Sequence, residues 1–418
     1  MSFSDFPDER KLAAETERIR EKAEQSAGTL GDEELMTEIE HEAMSSEILR
    51  GSMTISEIAR FVSAVFAEMR GLGILDPLLK DTGITEIMVN GPDAVFIEKN
   101  GKTEKTGLRF ESEKRLEDII QRVVGRGGRE VNRANPIVDT RLPDGSRVNV
   151  VLPPVSLSGA VMTIRRFPDK PLTVPDLIAL GSLTEEAAEF LSTLVRAKYN
   201  IFISGGTGSG KTTFLGALAG FIPPDERIIT IEDSAELTLN GIENLVRLEV
   251  RNANSAGAGK VTVSDLIRSS LRMRPERIIV GEVRGEEAID MLQAMNTGHD
   301  GSVSTGHANS PADMLGRLET MVLQGGSGLP LEAVRRQIAS AIDIIVHLSR
   351  MRDGSRRTVE ISEIGGLDPL SGEIEIERLF VFREEGFCDG RITGGLVKTG
   401  AGLRNREKLA AAGLSSEI

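Results

Sequence analysis

The chain predicts an α/β protein: a wound sheet carrying a phosphate-binding loop, preceded by a smaller α/β domain and an N-terminal helical segment. Three observations predict it. A Gly-rich loop stands between an apolar strand at 199–203 and a helical run at 213–219. Apolar strands alternate with helical patterns from residue 183 onward. Short strand–turn–strand patterns fill residues 72–167.

Composition sets the frame. The chain's 418 residues suffice for two or three domains, and 39% hydrophobic with 27% charged residues is the balance of a soluble globular protein. The single cysteine, Cys388, excludes an intramolecular disulfide framework and a zinc site built from several cysteines. Residues 1–8 lack a basic n-region and an apolar h-region, and no stretch of about 18 residues is uninterrupted by polar ones. A cytoplasmic protein is expected. The net charge of −14 weighs against non-specific nucleic-acid binding, which needs basic surface. Much of it is local: residues 1–50 hold 14 acidic and 6 basic side chains.

Taken in order, residues 1–30 are charge-dense and poor in large apolar positions, which predicts a frayed helix or a flexible tail. Residues 31–71 form a helical segment, where Ile55, Ile58, Ala59, Val62, Val65, Phe66 and Met69 recur at helical spacing. That stripe reads as a packing face rather than a membrane surface. Within the α/β domain at 72–167, Asn90-Gly91-Pro92-Asp93 joins two strands, 116–125 reads as a helix, and Asp144-Gly145 marks a hairpin. Pro168, Pro171 and Pro175 mark a linker at 168–182, the wound domain follows at 183–385, and residues 386–418 read as a Gly-rich tail with a closing helix at 405–412.

The chemistry begins at Gly205-Gly206-Thr207-Gly208-Ser209-Gly210-Lys211-Thr212, followed by Thr213. The glycines let backbone N–H groups turn inward around a triphosphate, Lys211 reaches the β/γ-phosphates, and the Thr212 hydroxyl suits Mg²⁺. A bare Gly/Ser linker would leave the flanking strand, the lysine and the helix unexplained. ATP and Mg²⁺ are therefore the expected cofactors.

Three further segments surround the loop. The strand at 227–231 ends in Glu232-Asp233, carboxylates placed either to hold the shell of Mg²⁺ and polarise a water or to cap a following helix with Glu236. The apolar strand at 277–280 delivers Glu282, with Gly281 where other phosphate-loop enzymes carry a metal-binding Asp. Glu282 is then the candidate to orient the attacking water, with metal work shifted to Thr212, Glu232 and Asp233. Thr297-Gly298-His299 and Thr305-Gly306-His307 repeat one setting eight residues apart. A strand joining them would bring both imidazoles towards the γ-phosphate, although a lone histidine is more often structural. His41 and His347 suggest no function.

Together these segments resemble the Walker A, Asp box, Walker B and His box of the type II/type IV secretion ATPases, and the CpaF/TadA branch of tight-adherence (Flp-type) pilus assembly in particular. Residues 139–149, Asp-Thr-Arg-Leu-Pro-Asp-Gly-Ser-Arg-Val-Asn, also resemble that branch, and the likeness spans about residues 72–382. It implies a RecA-like motor domain, a homo-hexamer peripheral at the inner membrane, pilus platform proteins as partners, and no stable nucleic-acid binding. It further implies that arginines of the N-terminal domain close onto the phosphates, a role carried to Arg141 and Arg147, with Arg165 and Arg166 as further candidates. The alternatives are a conjugation or type IV secretion ATPase, a RecA-like nucleic-acid motor, and a small-molecule kinase. With 4% aromatic residues, no Trp and one Tyr, stacking platforms for single strands are scarce.

Overall fold

The computed structural model describes residues 14–15, 17–19, 21–23, 30–99, 101–166, 171–239, 241–251, 259–326 and 328–414. The chain divides into two compact units between residues 169 and 170.

The first unit opens with helices α1 (Asp32–Ser45), α2 (Glu47–Ser52) and α3 (Ile55–Arg70). A capping box starts α3: Thr54 Oγ1 accepts from Glu57 N, and Glu57 accepts from Thr54 N at 2.7 Å. The buried face of α3 is Ile58, Phe61, Val62 and Val65, packed with Leu35, Ile39 and Ala43 of α1. This face is rotated from the expected stripe. Ile55, Ala59 and Phe66 fall on one flank of it, and Ile55 is 78% exposed. Most of residues 1–30 lies outside the described residues. Those described between 14 and 23 are helical, and Ile19 and Ala23, one helical turn apart, are buried in the same cluster. Of the two expectations, the described part fits the helix rather than the flexible tail.

A six-stranded antiparallel sheet follows, in the order β3-β2-β1-β6-β5-β4. Its strands are β1 (Ile84–Asn90), β2 (Val95–Lys99), β3 (Lys102–Lys105), β4 (Ile137–Arg141), β5 (Arg147–Val151) and β6 (Val161–Arg165). Between β1 and the helix α5 (Glu113–Arg126), preceded by the short α4 (Asp76–Lys80), the core closes: Leu116, Ile119, Ile120 and Val123 of α5 are buried with Ile87, Val89, Val148, Val150 and Ile164. The Asp144-Gly145 hairpin holds. Asp144 Oδ1 accepts from Ser146 N at 2.9 Å, and Arg141 pairs with Arg147 as the last rung before the turn.

The second unit is a nine-stranded sheet in the order β15-β14-β13-β12-β7-β11-β10-β8-β9. Strands β7 (Ile201–Gly205), β8 (Ile228–Glu232), β9 (Leu245–Glu249), β10 (Arg277–Val280), β11 (Val303–His307) and β12 (Ile344–Arg350) pair in parallel. Strands β13 (Arg356–Leu367), β14 (Ile374–Cys388) and β15 (Arg391–Lys398) add to β12 antiparallel.

Alternate residues of each parallel strand enter opposite cores. Ile201, Ile203, Ile279, Ile344 and Val346 pack with α6 (Val174–Ala179), α7 (Glu185–Arg196) and α8 (Lys211–Ala219). Phe202, Ile229, Ile231, Ile278, Val280 and Ile345 pack with α9 (Val263–Ser270), α10 (Glu287–Asn296), α11 (Pro311–Gln324) and α12 (Leu331–Ala341). Burial on both faces explains the unbroken apolar runs that mark these strands in the sequence.

Two boundaries move. Residues 167–170 of the expected linker lie outside the described residues, but its second half is α6, capped by Thr173 and buried through Val174 and Leu177. The expected tail from 386 is not a tail. A break at 385 cuts through β14, and β15 extends the sheet, with Ile392, Leu396, Leu403 and Leu409 all buried. The Gly pair hid this strand: a side chain at Gly394 would run into the carbonyl of Arg383 on β14. The closing helix is present as α13 (Glu407–Ala411).

Candidate active site

Parallel pairing sets the carboxyl ends of β7, β8, β10 and β11 along one edge, where an open α/β sheet offers its ligand site. The phosphate loop leaves β7 there and turns into α8. Its last glycine, Gly210, has φ 94° and forms the helix N-cap, a left-handed conformation that a side chain would oppose. The free N–H groups of the first turn of α8 and the helix dipole make this an anion site. Lys211 is buried; its Nζ donates to the carbonyls of Gly205 and Gly206, each at 3.1 Å, and lies 3.2 Å from His307 Nδ1. Burial lowers its pKa; nearby Glu282 opposes that and Arg284 adds to it. Ser209 Oγ donates to the Gly206 carbonyl at 2.8 Å, while Thr212 and Thr213 occupy the first turn of α8.

Glu282 follows β10, and His307 ends β11 in register with Gly205. His307 Nε2 stands 2.9 Å from Glu282 Oε1, yet the approach is not aligned as a hydrogen bond, and Oε1 has no hydrogen-bond partner. The other oxygen is held by Arg284 Nη2 at 2.7 Å, and Arg284 Nη1 reaches Asp233 Oδ2 at 3.0 Å. Arg284 therefore ties the two acidic strand ends together, and its bond to Glu282 raises its own pKa. Burial lowers the pKa of His307, with Lys211 adding to the effect and Glu282 opposing it, so the imidazole is held neutral. A cavity of about 410 Å³ opens here, lined by Thr207, Glu282, Val283, Arg284, His307 and Arg317. A carboxylate with one unpartnered oxygen, beside a neutral imidazole and a lysine, can orient a water against a phosphoryl group.

Glu232 is only 4% exposed, and burial raises its pKa. Its Oε2 accepts from the N–H groups of Glu236 at 2.8 Å and Leu237 at 2.9 Å, whereas Oε1 is buried without a partner. The helix-capping alternative is excluded, because residues 233–239 form no helix; the carboxylate braces a turn instead. Glu232 also explains Gly281: a Cβ there would lie 2.9 Å from Glu232 Cγ, leaving no room for an aspartate. Thr212 and the orphaned oxygen of Glu232 suit Mg²⁺ with its water shell, while Asp233 is engaged by Arg284.

The two Thr-Gly-His segments do not converge. His299 precedes the amino end of β11, with Nδ1 3.3 Å from the Ala294 carbonyl, whereas His307 ends that strand; the strand that joins them also separates them. His347 is the histidine that sequence reasoning missed. Buried on β12 beside Ser204, its Nδ1 lies 2.8 Å from Ser204 Oγ, under the root of the phosphate loop, and burial lowers its pKa. Only its place in an apolar strand next to β7 could have signalled this. Arg284 was also missed, although it stands two residues after Glu282. Arg141 and Arg147 face each other in the first unit. Arg166 is committed to that unit, donating to the carbonyls of Asp81 and Ile84.

Comparison with known proteins bears on this site. The family described as "Type II/IV secretion system protein" matches residues 68–388. A putative conjugal transfer protein of Mycobacterium tuberculosis is 38% identical over 313 residues, covering 73% of this chain and 88% of its own. The type IV secretion system protein VirB11 of Brucella suis is 36% identical over 323 residues, covering 69% and 87%. Among solved structures, the ATPase DotB of Legionella pneumophila shares the fold with a TM-score of 0.51 at 22% identity, over 69% of this chain and 78% of that one. The pilus retraction motor PilT does so with a TM-score of 0.50 at 18% identity, over 81% and 87%.

Proposed function

We infer the function from one premise: the chain belongs to the type II/IV secretion system protein family. It is an ATP hydrolase of that family. The observation that carries its chemistry is the meeting of Glu282, Arg284 and His307 around one cavity at the mouth of the phosphate loop, with Lys211 in contact with His307.

In this reading the loop from Gly205 to Thr213 cradles the triphosphate and Lys211 exchanges its carbonyl contacts for the β/γ-phosphates. Glu282 orients the attacking water, and His307 reports on the γ-phosphate. Bound Mg²⁺ would neutralise phosphate charge, held through Thr212 with Glu232 behind it. Arg141 and Arg147, adjacent on one hairpin, would supply guanidinium charge to the transition state. The working assembly is a homo-hexamer, cytoplasmic and peripheral at the inner membrane, coupled to platform proteins there. No helix among the described residues is long and apolar enough to cross a membrane.

Assembly of a tight-adherence or Flp-type pilus is the reading favoured by residues 139–149. A conjugation or type IV secretion ATPase is favoured by the names of the relatives at 36–38% identity. Gene deletion separates them. Loss of surface pili, restored by the wild type and not by Lys211→Ala, supports the first. Intact piliation with loss of conjugative transfer or effector export supports the second.

A further inference from the structure

The turn between β12 and β13 lies against the outer side of the phosphate loop, and it belongs to none of the motifs described above. Arg356 Nε donates to the carbonyl of Gly208 at 2.9 Å, and the Arg356 Cδ stands 3.2 Å from where a Cβ on Gly210 would be. The turn itself is braced from the far side. The Asp353 carboxylate accepts from Ile392 N of β15 at 2.8 Å, and Arg352 donates to Glu384 of β14 at 2.9 Å.

A trans peptide points its C=O and the following N–H to opposite sides. Holding the Gly208 carbonyl outward therefore aims the Ser209 N–H into the loop. There it meets only the Gly206 carbonyl at 3.3 Å, a long contact that a phosphate oxygen can replace. Because the donor is a guanidinium, the anchoring bond is of the stronger, charge-assisted kind.

We propose that Arg356 is a positioning residue for nucleotide binding, presetting the phosphate loop by pinning its outer carbonyl to a hairpin anchored on β14 and β15. The inference rests on the reading that this loop holds the nucleotide. Its test is equilibrium binding of a fluorescent ADP with Mg²⁺ to the full chain, alongside thermal unfolding, for the wild type, Arg356→Met and Arg356→Lys. Methionine keeps the stem over Gly210 and loses the donor, whereas lysine keeps a charged donor.

Arg356→Met is expected to weaken ADP binding about tenfold and Arg356→Lys by less than about threefold. All three proteins should melt within about 2 °C of one another. Wild-type affinity in Arg356→Met, or a loss that merely tracks a lower melting temperature, would overturn the role. A wild-type chain that binds no nucleotide would instead overturn the function proposed above.

Discussion

At the amino end of the second unit's parallel strands, buried and half-buried charged side chains are paired off; at the carboxyl end they are left partly unpaired. Arg277, fully buried, gives Nε and Nη2 to Glu226 and Nη1 to the Val195 carbonyl at 2.7 Å. Asn200 accepts from Gly301 N and Ser302 N and donates to the Ala341 carbonyl, while Lys408 reaches both Asp343 and Asp300 at 2.7 Å. None of the side-chain atoms of Arg277, Glu226, Asn200 or Asp343 is buried without a hydrogen bond. Across the sheet, Glu232 and Glu282 each keep one oxygen without a partner. Buried polar groups are ordinarily satisfied, so in the proposed function these two orphans at the phosphate-loop edge are where a ligand is met, and the closed network is where the fold is held.

The contrast predicts opposite consequences for charged residues at the two ends. Arg277→Met should have the largest effect on stability. It strands the buried Glu226 carboxylate with Lys198 Nζ at 3.7 Å as its remaining ion pair, a loss of about 3 kcal/mol in urea unfolding. Turnover per folded molecule should be unchanged. A variant as stable as the wild type would break the comparison.

Lys408→Met comes next, at about 1–3 kcal/mol. Burial raises the Asp343 pKa and Lys408 pulls it back down. A carboxyl whose folded pKa lies above its unfolded one stabilises the fold when protonated and loses that contribution as pH rises through the folded value. Removing Lys408 raises the folded value further. The destabilisation should therefore be greater near about pH 8 than near about pH 5. Equal losses at both would show that Lys408 acts through packing alone, for instance over the Tyr199 ring, whose centroid lies 5.9 Å from Nζ.

The two ends also differed in how far the sequence announced them. The loop at 205–212, the apolar runs of β7, β8 and β10, and Glu282 two residues past the last of these are local patterns, and each local pattern stands where it was expected. What escaped depended on pairing between distant segments. Arg284 bridges Asp233 and Glu282 only because β8 and β10 are neighbours. His347 matters only because β12 pairs with β7, setting it level with Ser204. Strand β15 was hidden by Gly394 and Gly395, which carry no side chain to alternate. His299 shows the reverse failure: a local likeness to His307 promised a shared site, and the length of β11 keeps them at opposite ends.

The smallest stability effect should accompany the greatest functional one. Glu282→Gln keeps the shape of the site and removes the carboxylate charge, so the unfolding midpoint should hardly move, because the partly exposed ion pair lost to Arg284 contributes little. The most direct test of the account is to measure, on this one variant, both equilibrium binding of ATP with Mg²⁺ and steady-state hydrolysis. The account predicts binding close to that of the wild type and a fall in turnover of about 10²–10⁴-fold, the range for a lost general base. Turnover close to that of the wild type would contradict it.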